Sequence, residues 1–154
     1  MDTQTVIVFG GHAVAESVDR LVTAMGWRAV RATDPSELPG LLARADALVV
    51  LEHDLSLAGP ALAAALASDV GYIGAMGNRE TQTGRREWLL SAGVDESALA
   101  RIHGPAGLDI GADTPAEIAL AILAEIVAQH RGFTGVARVA ERSGPIHPDA
   151  PPSE

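Results

Sequence analysis

Ala47-Leu48-Val49-Val50-Leu51 is an unbroken aliphatic run. A strand that is apolar on both faces needs cover on both, which is the mark of a parallel sheet held between layers of helix. Thr5-Val6-Ile7-Val8-Phe9 is a second such run, stopping at Gly10-Gly11. Helical spacing follows over 13–25, in Val14, Val18, Leu21, Val22 and Met25, and Gly26 fits a helix C-cap. The same reasoning predicts strands at 27–32 and 70–74 and helices at 36–44, 60–67 and 81–92, with one further helical piece at 96–102. The last helix, 115–130, carries Ile118, Ile122 and Ile126 on one face with Ala119, Leu123 and Val127 beside them, so it is expected to be buried. Thr114, Pro115 and Glu117 form a capping box at its start. Strands alternating with helices imply right-handed βαβ units. The fold class is therefore α/β, a doubly wound, mostly parallel sheet in three α/β/α layers, with one domain over 1–132. Four prolines between Ser143 and Glu154 mark 133–154 as an extended or disordered tail.

Charge and composition exclude several kinds of chemistry. The chain holds 20 acidic and 11 basic residues, a net charge of -9, and no cysteine. No thiol nucleophile, Cys-x-x-Cys redox pair, cysteine metal ligand or persulfide carrier exists within it. Every basic residue is arginine, so Schiff-base chemistry and a P-loop lysine are absent too. The acidic balance argues against non-specific nucleic-acid binding and against anionic membrane surfaces. Residues 6–9 are too short an apolar run for a signal-peptide core or a membrane span, and a cytoplasmic location is expected.

In open α/β sheets ligands bind outside the carboxyl ends of the strands, so the residues just after each strand are the candidates. Gly10-Gly11-His12-Ala13 joins the first strand to the first helix, where orphan N–H groups and the helix dipole favour an anion. A tight turn that needs glycine is the competing explanation. The dinucleotide fingerprint Gly-x-Gly-x-x-Gly is not met, because His12 and Ala15 occupy its second and third glycine positions, and a side chain at the second obstructs a pyrophosphate. Asp34, 24 residues beyond Gly10, has the position of a ribose-binding acid and equally that of an Asp-Pro turn. His53 and Asp54 follow the third strand, where a neutral imidazole can bind a metal or carry a proton. Gly74, Gly77, Asn78 and Arg79 follow the fourth. Arg79 offers a planar fork for phosphate or carboxylate, or pairs with Glu80 or Glu87. The 102–113 segment reads as a loop with three glycines, in which His103 is a candidate base and Asp109 its orienting acid. Glu117 and Glu125 lie two turns apart on the final helix, but the cap already explains Glu117.

Three stretches taken together carry a resemblance: Tyr72-Ile73-Gly74-Ala75-Met76-Gly77-Asn78-Arg79, then Ile102-His103-Gly104-Pro105-Ala106-Gly107-Leu108-Asp109-Ile110-Gly111, then Thr114-Pro115-Ala116-Glu117-Ile118-Ala119 with Ile122-Leu123-Ala124-Glu125-Ile126. In order and spacing they resemble the C-terminal domain of the XdhC/CoxI family, a likeness that runs from Gly10 to Gly144-Pro145-Ile146-His147. The family's first loop usually reads Gly-Ala-Gly-His, and it carries serine where this chain has Asn78. The resemblance implies a Rossmann-like accessory protein of molybdenum hydroxylases such as xanthine dehydrogenase and carbon monoxide dehydrogenase. Such proteins bind molybdenum cofactor, assist its sulfuration and help insert it into the apo-enzyme. It further implies that Gly10, Gly11, His12 and the segment from Gly74 to Arg79 hold the phosphate or nucleotide part of the cofactor. Asp34, His53, Asp54, His103, Gly107 and Asp109 would line the same crevice.

The leading expectation is a protein that binds molybdenum cofactor and assists its maturation and insertion, more an accessory protein than a catalyst. Its partners would be an apo molybdenum hydroxylase and proteins of cofactor biosynthesis or sulfuration. The alternative is an NAD(P)-dependent oxidoreductase, suggested by the layout and Asp34. It ranks lower, because a substrate pocket opposite a nicotinamide usually needs a second domain. A third reading is a non-catalytic interaction module in which His12 blocks the phosphate site. A homodimer is expected from the apolar last helix and the resemblance, and no metal ligands are assigned.

Overall fold

A computed structural model of the protein describes residues 3–135. Of the expected tail only 133–135 fall within them, and Gly144-Pro145-Ile146-His147 lies outside. The elements in chain order are β1 (Thr5–Phe9), α1 (Ala13–Ala24), β2 (Arg28–Ala32), α2 (Leu38–Leu42), β3 (Ala47–Val50), α3 (Leu55–Leu66), β4 (Tyr72–Ala75), α4 (Arg79–Ser91), β5 (Ile102–His103) and α5 (Pro115–Arg131), with short 3-10 turns at Pro35–Glu37 and Glu96–Arg101. The five strands pair only in parallel, in the order β2-β1-β3-β4-β5. The expected doubly wound α/β fold is what forms.

Alternation along the strands divides the core in two. Ile7, Phe9, Leu48, Val50 and Ile73 point to one face, where Leu38 and Leu42 of α2, Ala58 and Leu62 of α3 and Leu89 of α4 cover them. Val6, Val8, Val49 and Tyr72 point to the other, under Val18 and Val22 of α1 and Ile122, Leu123 and Ile126 of α5. Every residue of β3 is buried, as its continuous apolar run required. The capping box opens α5 as expected, with Thr114 Oγ1 accepting from the Glu117 N–H and the Glu117 carboxylate accepting from the Thr114 N–H.

Strand β4 is shifted from the expected 70–74 to 72–75, the 96–102 piece is a 3-10 turn, and four further elements differ from the sequence expectation. Helix α3 starts at Leu55, not 60, because Asp54 caps it and Pro60 sits inside the helix. A proline there forfeits a backbone hydrogen bond, and the burial of Ala58, Ala61 and Leu62 against the sheet offsets that loss. Helix α4 starts at Arg79, two residues early, because Asn78 supplies its cap. The 36–44 helix is split into a 3-10 turn and the five-residue α2. The expected 102–113 loop begins with a fifth strand, Ile102–His103. Two residues carry no readable alternation, so only their pairing with Ile73 and Gly74 reveals the strand.

Candidate functional site

A cleft of about 640 Å³ opens beyond the carboxyl ends of β4 and β5. His53, Met76, Gly77 and Asn78 form one side of it. The 105–112 loop forms the other, with Ile118 and Ala121 of α5 behind. His53 and Met76 also line a smaller hollow of about 220 Å³, bounded by Gly11, His12, Ala13, Val14, Leu51 and Glu52, above the gap between β1 and β3. In this strand order β1/β3 is the topological switch point, where a ligand is expected in such sheets. The larger space is displaced from it toward β4 and β5.

Three hydrogen bonds fix the loop that walls the cleft. The Ala106 N–H donates to Ala75 O (3.1 Å), the Gly107 N–H to Glu125 Oε1 (3.1 Å) and the Leu108 N–H to Ala121 O (3.1 Å). Gly107 runs against α5 closely enough that a Cβ would stand 3.1 Å from that of Ala121. Glu125 Oε1 also accepts from the Tyr72 hydroxyl at 2.6 Å and lies 3.4 Å from His103 Nδ1. The His103 ring stacks on Tyr72, with centroids 4.7 Å apart. Burial, reinforced by the Glu125 carboxylate, pushes the Tyr72 phenol far up, so it remains a donor. The orienting acid of His103 is thus Glu125 and not Asp109, which faces the cleft instead. His103 itself stands on the edge strand, behind the loop and outside the cleft lining.

Several other expected ligands are engaged locally. Asp34 accepts from the Ser36 N–H, and that bond lowers its carboxyl below the ordinary value. Asp54 accepts from the Ser56 hydroxyl and N–H, with the same effect. Asn78 Oδ1 accepts from the N–H and hydroxyl of Thr81. All three are N-caps, a role their residue types favour at helix starts. Gly74 is buried, and a Cβ there would stand 2.7 Å from the Tyr72 ring, so its smallness serves packing. Gly10 and Gly11 both have positive φ, as the turn after β1 demands. His12 caps α1 by position only, with no side-chain hydrogen bond. Arg79 is exposed and forms no ion pair with Glu80, Glu87 or any other described carboxylate, and it is not part of the cleft lining.

Two further charged groups that sequence reasoning passed over stand near the hollows: Glu52 in the lining of the smaller one, and Arg85 behind Gly77, in the lining of neither. Glu52 leans over the glycine turn: a Cβ on Gly10 would stand 2.7 Å from its Oε2. Arg85 is 2% exposed, donating from Nη1 to Met76 O (2.5 Å) and from Nη2 to Glu52 O (2.8 Å), while its Nε has no partner. It ties the loop after β3 to the loop after β4, and burial lowers its pKa. Helical phase could have found it. Asn78, Gln82, Arg85 and Leu89 follow at intervals of four, three and four, which places Arg85 on the buried stripe of α4. Glu125 carried a similar signal, set between Ile122 and Ile126 on an otherwise apolar face. Among the described residues no cluster of His, Asp and Glu is arranged to hold a metal ion, and no helix is long and apolar enough to cross a membrane.

Residues 6–126, spanning the whole sheet and both walls of the cleft, match the XdhC Rossmann domain. The chain belongs to that family. It is 27% identical over 121 residues to the molybdenum cofactor insertion chaperone PaoD of Escherichia coli K12, a match that covers 78% of this chain and 38% of PaoD. It is 40% identical over 58 residues to the uncharacterized protein YqeB of the same organism, covering 38% of this chain and 11% of YqeB. The chain thus spans well under half the length of these curated relatives. A crystal structure described as a xanthine dehydrogenase from Bacillus halodurans superposes with a TM-score of 0.67 at 20% identity, over 84% of this chain and 43% of that one. At that identity the likeness is one of fold. The cleft of this XdhC-type Rossmann domain lies on the side of β4 and β5.

Proposed function

We propose that this XdhC domain binds molybdenum cofactor, or its phosphate or nucleotide part, in the cleft beyond β4 and β5 and assists its maturation and insertion into a molybdenum hydroxylase. The observation that carries this reading is the 121-residue alignment with a molybdenum cofactor insertion chaperone, which runs through both walls of the cleft. The cleft fits such a guest. Its volume lies in the range of small-molecule sites, about 300–1,000 Å³. Its walls are largely apolar, with glycines at 77, 107 and 111 that let a flat heterocycle approach closely. Gly77, Asn78 and Asp109 would offer polar contacts, and His53 would stand at the passage to the smaller hollow. An apo molybdenum hydroxylase and proteins of cofactor biosynthesis are the partners this role requires.

The test is anaerobic equilibrium binding of molybdenum cofactor, with NADP(H) titrated in parallel and Arg79→Ala as a control. Saturable binding of the cofactor alone is expected, with Arg79→Ala within about twofold of the parent because its side chain lies outside the cleft lining. Binding of NADP(H) alone would turn the assignment to an oxidoreductase. Binding of neither would leave an interaction module.

A further inference from the structure

We infer that the ligand's anionic group sits over Gly77 and the first turn of α4, with the buried Arg85 guanidinium beneath it as counter-charge, and not in the glycine turn after β1. This rests on the cleft being the ligand site.

The turn after β1 is where a dinucleotide phosphate would normally lie. Here the Glu52 carboxylate occupies that side of it, against Gly10, and a second anion would meet like-charge repulsion in a confined space. On the β4 side a cation lies close behind Gly77, while the Asp109 carboxylate stands on the opposite wall, in the 105–112 loop. Arg85 remains a cation in any folded protein and is almost wholly buried, yet no described carboxylate pairs with it, and its hydrogen bonds go to two main-chain carbonyls. A buried charge without a counter-ion is costly, and a bound anion relieves that cost. Arg85 does not line the cleft itself; it lies behind Gly77, with the Thr81 side chain beside it. A Cβ built at Gly77 would stand 3.3 Å from Arg85 Nη1, and Gly77 itself lines the cleft. The 13-residue α4 starts two residues later, after its N-cap Asn78, adding its dipole and the outward N–H groups of its first turn. The hydroxyls or ring N–H groups of the ligand are then left to face Glu52, an acceptor.

Inorganic pyrophosphate serves as an anion probe and can be titrated into 15N-labelled protein at low ionic strength, followed by molybdenum cofactor under anaerobic conditions. The largest shifts are expected at the amides of Gly77, Asn78 and Arg79 and at Arg85 Nε–H. Arg85→Met, with its remaining spectrum retained, is expected to weaken pyrophosphate at least tenfold, and Arg85→Lys to recover part of that loss. If Arg85→Met does not fold, the wild-type shift map decides by itself. Largest shifts at Gly11 to Val14, or no titration with pyrophosphate, would overturn the inference. Cofactor binding mapped to Gly11 to Val14 would overturn it and leave the proposed function standing. Pyrophosphate bound at Gly77 with no affinity for the cofactor would do the reverse.

Discussion

Thr114 and Glu117 satisfy each other's backbone N–H groups at the start of α5, and the same pattern of residues had already marked the helix start in the sequence. Thr114→Ala is expected to cost about 1 kcal/mol in urea denaturation. Hydrogen bonds from the Thr114 and Asp113 N–H groups hold the Glu117 carboxyl below its ordinary value of 4.5. Because the folded value is the lower one, this contribution is present above pH 4.5 and fades as the pH falls through the folded value. Acid titration of stability should therefore be shallower in Glu117→Gln than in the parent. Asp34, Asp54 and Asn78 show where residue-level reading is ambiguous. A short polar side chain after a strand serves equally as a ligand or as a cap, and only its hydrogen-bond partners distinguish the two.

At the scale of elements, α3 and α4 meet where Gly59 lies under Trp88. A Cβ at Gly59 would stand 2.6 Å from the indole Cδ2, so the helices can close only over a glycine. Gly59→Ala gains about 1 kcal/mol of helix propensity, yet overpacking costs about 1–3 kcal/mol. A net loss of stability is expected, read as a lower denaturation midpoint with an unchanged slope. Gain of stability would mean that Trp88 has room to turn aside. Strand and helix order were legible because each long element repeats its own period. Helix α3 began early and β5 went unseen because their boundaries depend on a cap and on a two-residue pairing, which no periodicity encodes.

Across the whole molecule, β3, fully buried, and β1, buried from Val6 to Phe9, lie inside the sheet, while β5 is a two-residue edge and the 105–112 wall hangs on three hydrogen bonds. Native-state amide exchange should be slowest in β1 and β3 and much faster through 105–112, and equal protection in both would contradict this order. Such a wall is one that a ligand can displace or tighten without disturbing the core. By itself the sequence determined the class of fold, the direction of its strands and the turns that flank the site, because burial on two faces, 3.6-residue spacing and capping are local properties written in neighbouring residues. Tertiary structure alone decided what each charged group meets. The Glu52 carboxylate reaches Gly10 across 42 positions, the Tyr72 hydroxyl reaches the Glu125 carboxylate across 53 and Arg85 reaches the Glu52 main-chain carbonyl across 33, and contacts between such distant residues are fixed only when strands and helices pack.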